Sequence, residues 1–83
     1  MFNRNQKVMD ELREIFKKHN LTNTDIRILW EESDAFVSNF MTGKTKNLNF
    51  GKLLSLLHNV KQKELFALHS DISQLIINSV NEN

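Results

Sequence analysis

The run LTNTDIRILWEESDAFVSNFMTGKTK, residues 21–46, decides how this chain folds. Thr22 followed three residues later by Asp25 has the spacing of a capping box: the hydroxyl can satisfy backbone N–H groups, and an acid sits favourably on a first helical turn. A short helix from about Asn23 to Trp30 follows. Ser33 is the next good N-cap, and Phe36, Val37, Phe40 and Met41 recur behind it at helical spacing until Gly43 supplies a stop. Two short helices therefore meet at a turn near Glu31, and the second runs out into a basic Gly-Lys-Thr-Lys turn.

On both sides of this run the apolar residues keep a spacing of three and four, and the whole chain has no proline and only two glycines. That pattern predicts helices joined by short turns rather than strands. Upstream, Val8, Met9, Leu12, Ile15 and Phe16 form one stripe, with Asp10, Glu11, Arg13, Glu14, Lys17 and Lys18 on the other faces. Downstream of the loop GKTKNLN, Phe50, Leu53, Leu54, Leu56, Leu57 and Val60 give a fourth helix an apolar face too wide for one neighbour, which puts it at the centre. The remainder carries Leu65, Phe66, Leu68, Ile72, Leu75, Ile76, Ile77 and Val80, with Ser70 placed to cap a last segment. It reads as one bent or two short helices, followed by a polar tail, Asn81-Glu82-Asn83. The expected fold class is all-α, a compact bundle of about five short helices, with residues 1–63 as the main domain and 64–83 as a C-terminal helical extension.

With 83 residues, such a domain buries only about 60% of its unfolded surface, near the lower limit of independent stability, so a partner subunit would help. The absence of cysteine excludes disulfides, thiolate metal sites and a thiol nucleophile, and makes a reducing cytoplasm the simplest setting. No apolar run approaches the roughly 18–20 residues of a membrane span, and MFNRNQKVMDELRE lacks the apolar core of a signal peptide. The expectation is a cytoplasmic protein. Eleven Lys and Arg against ten Asp and Glu leave a formal charge of only +1. Charge is nevertheless segregated: Asp25, Glu31, Glu32 and Asp34 crowd one segment, and from Ala35 to Lys63 there are five lysines (Lys44, Lys46, Lys52, Lys61, Lys63) and no acid.

Leu21-Thr22 opening the second helix, Ile26, Trp30, Val37 and Phe40 at apolar positions, and the run GKTKNLNFGKLLSLLHNV together resemble the Xre/Cro family of phage and bacterial repressors over about residues 7–60. KNLNF and the apolar tail also resemble the small controller proteins of restriction–modification systems. The resemblance implies a lambda repressor-like DNA-binding domain containing a helix-turn-helix, whose third helix enters the major groove of double-stranded DNA. Carried onto this chain, the base-facing positions are Ser33, Asp34, Ala35, Ser38 and Asn39. Asn39 is the favoured reader, because a side-chain amide can bond an adenine edge in two places. Asn23, Lys44, Lys46 and Asn47 fall where the family contacts phosphate, which supplies affinity more than sequence preference. The chain departs from the pattern at three points. Arg27 stands where the family has a small residue, and its stem would have to snorkel outward. Glu31 stands where the family has glycine, at a cost on the order of 1 kcal/mol if the turn keeps φ > 0. Glu31, Glu32 and Asp34 together place acids at the helix end meant to meet DNA.

The stripe Leu65, Leu68, Ile72, Leu75 nearly follows a heptad, so it packs either on its own domain or on a second subunit. Ile76, Ile77 and Val80 widen it beyond what so small a domain readily covers, and the preferred reading is a homodimer with Leu65, Phe66, Leu68, Ile72, Leu75 and Ile76 as its interface. A two-fold dimer would set two third helices about one DNA turn apart, roughly 34–36 Å, and read an inverted repeat. The expected function is a sequence-specific transcriptional regulator, an autoregulatory repressor of phage or mobile-element type. The alternative is a protein-interaction module or antitoxin that docks the acidic end of the third helix on a basic protein partner. Trp30 falls at a buried motif position and reads as core. His19, His58 and His69 have neither metal-ligand spacing nor a catalytic companion set, and no cofactor loop is present, so no metal, cofactor or enzyme activity is expected.

Overall fold

The structure, a computed structural model, describes residues 4–81. Met1–Asn3 and Glu82–Asn83, the ends of the two expected segments and most of the polar tail, lie outside the described residues. The chain forms α1 (Arg4–Lys18), α2 (Asn23–Trp30), α3 (Asp34–Met41), α4 (Phe50–Gln62) and α5 (Phe66–Asn81). It is all-helical, with no strand among the described residues.

The ends of the helices follow local chemistry. Both halves of the Thr22–Asp25 capping box are present, at 3.1 and 3.0 Å, and the Ser33 hydroxyl accepts the Phe36 N–H at 3.1 Å. Each of the first four helices closes with a left-handed residue and a backbone bond reaching back five positions. The bonds run from Leu21 N–H to Phe16 O, Glu32 to Arg27, Lys44 to Asn39 and Leu65 to Val60. The left-handed residues are Asn20, Glu31, Gly43 and Glu64, so this Schellman-type stop is made three times without glycine.

One core joins all five helices. Trp30, 1% exposed, sits at its middle, edge-on to Phe16, Phe36 and Phe40 with ring centroids 5.2–5.9 Å away, and its indole N–H donates to the Lys52 carbonyl at 2.8 Å. Such edge-to-face pairs are worth about 0.5–1.5 kcal/mol each beyond area burial. α4 buries Leu53, Leu56 and Val60 between α2 and α5. The buried guanidinium of Arg13 ties α1 to the end of α3, its Nε donating to the Phe40 carbonyl at 2.6 Å while the group stacks 4.7 Å over the Phe40 ring.

The C-terminal segment differs from expectation in three respects. α5 is one continuous helix, and Ser70 lies exposed inside it rather than capping a second one. Leu68, Ile72 and Leu75, expected at a dimer interface, are buried in the chain's own core, because α5 packs directly on α1 and α4. For the same reason α5 completes the one core instead of forming an extension to a domain ending at 63. Ile76 is partly buried against that core, and of the expected interface set only Leu65 and Phe66 are well exposed. The α1–α5 contact is closed by Asp71, which accepts from His19 Nε2 at 2.7 Å and from Lys18 Nζ at 3.0 Å. These bonds, the His19 one foremost, hold the Asp71 carboxyl below its ordinary value. No helix of the described residues is long and apolar enough to cross a membrane.

Candidate nucleic-acid interface

α2 and α3, eight residues each, are joined by only Glu31, Glu32 and Ser33 and pack on one another. Glu31 takes φ 56°, ψ 46°, and the N–H groups of Glu31 and Glu32 both return to the Arg27 carbonyl. The turn thus keeps the left-handed conformation with a glutamate in it, and the strain anticipated from the sequence is present. Arg27 does not crowd the helix pair; its side chain turns outward and its Nε lies 2.9 Å from Asp34 Oδ1.

Val37 and Phe40 anchor α3 in the core. With that face fixed, the helical period turns Asp34, Ala35, Ser38 and Asn39 to the opposite side, and all four are exposed. Ser33, also exposed, spends its hydroxyl on the α3 cap. Asn39 uses its carbonyl to receive the N–H groups of Lys44 and Thr45, at 2.9 and 3.2 Å, and its side chain makes no hydrogen bond to the other described residues.

The loop after α3 is held at both ends. At its start the Thr42 hydroxyl donates to the Ser38 carbonyl at 2.8 Å, beside the two bonds to Asn39. At its far end buried Leu48 is clasped by Asn5, whose amide donates to the Leu48 carbonyl at 3.0 Å and accepts its N–H at 2.8 Å. Between these anchors Lys44, Lys46 and Asn47 stand exposed, and neither lysine has a carboxylate partner among the described residues. The ninth expected contact, Asn23, is exposed at the first position of α2.

Electrostatics at the turn differ from what the sequence alone suggests. Glu32 lies 2.6 Å from Lys52 Nζ, an ammonium that also sits 4.7 Å over the Phe36 ring, and Asp34 faces Arg27. Of the three clustered acids, only Glu31 has no cation partner among the described residues. Arg27, Lys44, Lys46 and Lys52 together outnumber Glu31, Glu32 and Asp34 by one, so the surface is close to neutral at the turn and positive at the loop. The Asp34 carboxylate is 91% exposed, and its pair with Arg27 is a weak, solvent-screened one.

Sequence reasoning missed what three residues do to this surface. Lys52, one of the lysines of the acid-free run, is engaged by Glu32, twenty residues away. Asn5 fixes the loop from α1. Arg13 sits beside the α1 stripe, one position after Leu12 and three before Phe16, and that flanking place was the available signal for its burial. Among the described residues no group of three or more His, Asp or Glu side chains stands close enough to hold a metal ion. No protein-family model, curated protein or solved structure matches the chain.

Proposed function

We propose that this chain is a cytoplasmic, sequence-specific DNA-binding regulator of transcription that represses its own promoter, with α2 and α3 acting as a helix-turn-helix. In this reading two copies bind an inverted repeat in double-stranded DNA. Asn39, with Ser38, Ala35 and Asp34, meets base edges in the major groove, and Asn23, Lys44, Lys46 and Asn47 meet phosphates. The observation that carries it is the continuity of one exposed surface. The outer face of α3 passes directly into a loop that is fixed at both ends and offers two lysines with no carboxylate partner among the described residues. A rigid cationic loop at the end of a short, solvent-facing helix suits backbone positioning, because the lysines need little ordering when phosphate arrives.

The protein-docking alternative drew on Glu31, Glu32 and Asp34 as a patch of free acids. With Glu32 on Lys52 and Asp34 on Arg27, the repulsion toward phosphate is reduced and so is the attraction toward a basic protein, which favours DNA.

The test is binding of purified protein to a labelled duplex from immediately upstream of its gene, against a shuffled duplex, across a salt series. Two lysines per copy predict a slope of log affinity against log salt of roughly −3 to −4 for a bound pair. Lys44→Ala is expected to weaken both duplexes and to flatten that slope by about 2 per pair. Asn39→Ala is expected to cost about 1–3 kcal/mol on the operator duplex and little on the shuffled one. Absence of binding to either duplex at low salt would overturn the reading.

A further inference from the structure

A cleft of about 240 Å³ opens where the loop after α3 enters α4, between the first turns of α1 and α4 and the last turn of α5. Buried Val8, Leu48 and Leu53 form its floor, and Phe50 and Val80, 50% and 61% exposed, flank its mouth. Two polar side chains complete the lining. The Asn5 amide is held by its two bonds to the Leu48 backbone, which leave one amide hydrogen over. The Ser79 hydroxyl lines the cleft and makes no hydrogen bond to the other described residues.

This lining selects what can enter. No ionisable side chain among the described residues lines the cleft, in a chain that is 25% charged. An ion there would shed its water against apolar walls with no counter-charge to meet it, so charged molecules are disfavoured. A neutral molecule with an apolar body gains from the same walls, and a hydroxyl or carbonyl on it can bond Ser79 or the remaining Asn5 hydrogen. Size is bounded as well. An apolar cavity of roughly 150 Å³ accepts benzene, so a cleft of about 240 Å³ suits a body of roughly six to ten heavy atoms.

Two of the walls have another task. Asn5 and Leu48 are also the far anchor of the loop that carries Lys44, Lys46 and Asn47. Opening of the Asn5–Leu48 clasp takes both walls away from the cleft. A molecule seated there therefore binds the clasped form better than the open one, and by linkage it holds the loop clasped.

We propose that this cleft is an effector site for a small, neutral, mostly apolar molecule with one hydrogen-bonding group, and that its occupation tightens the Asn5–Leu48 clasp. The inference rests on the DNA-binding reading for its use: a loop already held in place loses less freedom on meeting phosphate, so the effector would act as a co-repressor.

The test is made on the full chain without DNA. Benzyl alcohol is the probe, with benzoate and benzylammonium as charged counterparts of similar size, each followed through the backbone amide resonances. Saturable shifts are expected at Leu48, Phe50, Ser79 and Val80, with a Kd for the alcohol of roughly 0.1–1 mM and binding of both ions at least tenfold weaker. Val80→Trp, at an exposed position, is expected to obstruct the mouth and weaken the alcohol about tenfold or more, and Ser79→Ala to weaken it about three- to tenfold, with circular dichroism unchanged. Deuterium exchange reads the clasp. At ten times Kd the Leu48 N–H, which is donated to Asn5, is expected to exchange about tenfold more slowly, whereas the Asp25 N–H, donated to Thr22 outside the cleft, keeps its rate. Absence of saturable shifts, ions bound as tightly as the alcohol, indifference to Val80→Trp, or unchanged Leu48 exchange would each overturn the proposal. So would an apparent affinity that weakens as the protein is concentrated, because a second copy would then occupy the cleft. A protein that meets these expectations yet binds no duplex would sink the DNA reading and leave the site standing; one that binds its duplex and no probe would do the reverse.

Discussion

Replacing Glu31 by glycine is expected to stabilise the fold, and the structure sets the size of the gain. Glu31 is held at φ 56°, ψ 46° by the Schellman-type closure of α2, its side chain is exposed, and it has no ion-pair partner among the described residues. Glycine would therefore relieve left-handed strain of about 1–2 kcal/mol without removing a salt bridge, and would give back about 0.4–1 kcal/mol through the added freedom of the unfolded chain. The net gain is about 0.5–1 kcal/mol. At an unfolding entropy of about 2.1 cal/mol/K per residue, that corresponds to a rise in Tm of about 3–6 °C for a chain of this length. Glu31→Ala separates strain from charge. It keeps the Cβ in the left-handed region but removes a carboxylate from the negative end of the α2 dipole, for a gain of a few tenths of a kcal/mol. Gly43→Ala is the mirror experiment: φ is +84° and an added Cβ meets nothing within 4 Å, so left-handed strain acts without a clash, offset in part by the lower freedom of the unfolded chain, and the expected loss is about 0.5–1 kcal/mol. Urea unfolding followed by circular dichroism, with unchanged m-value, reads all three. A Glu31→Gly protein no more stable than Glu31→Ala would refute the assignment of strain to this turn.

Trp30→Phe is expected to lower stability by about 2–4 kcal/mol in urea unfolding, since it opens a void among three rings and leaves the Lys52 carbonyl without its donor; a loss under 1 kcal/mol would mean that the indole is not the keystone described above. Glu32→Gln is expected to release Lys52 toward phosphate, raising affinity for both duplexes and steepening the salt slope by about 1 per copy; an unchanged slope would place Lys52 out of reach of the backbone. Asp71→Asn is expected to lower the urea midpoint at neutral pH, with the gap to the native protein closing in acid. The Asp71 carboxyl is held below its ordinary value, chiefly by the His19 hydrogen bond, so its stabilising effect is complete above the ordinary carboxyl value and lost as pH falls through the lowered one. A gap constant from pH 7 to pH 2 would exclude this linkage.

What could be read in the sequence was what acts over three or four residues. Thr22 with Asp25, Ser33 with the Phe36 N–H, and Gly43 after Met41 each satisfy a neighbour along the chain, and the bounds of α2 and α3 follow from them. The outward set Asp34, Ala35, Ser38 and Asn39 was equally legible, because Val37 and Phe40 had to face inward and the helical period left those four no other side. Periodicity showed that α5 has an apolar face but not what covers it. Leu68, Ile72 and Leu75 have coiled-coil spacing, yet α1 and α4 were close enough to take them.

The sign of the surface at the α2–α3 turn was illegible for a related reason. Read along the chain, Glu31, Glu32 and Asp34 are a block of negative charge. In the fold, Glu32 meets a lysine twenty residues later, supplied by the first turn of α4, and Asp34 meets an arginine seven residues earlier, across the junction of two helices. Neither partner could be inferred without the angle at which α2, α3 and α4 pack. The choice between reading DNA and docking on a basic protein is therefore carried by Lys52 and Arg27 more than by the acids themselves. Removing either cation would return the turn to the acidic character that its sequence displays, whereas removing Glu32 would push it further toward phosphate.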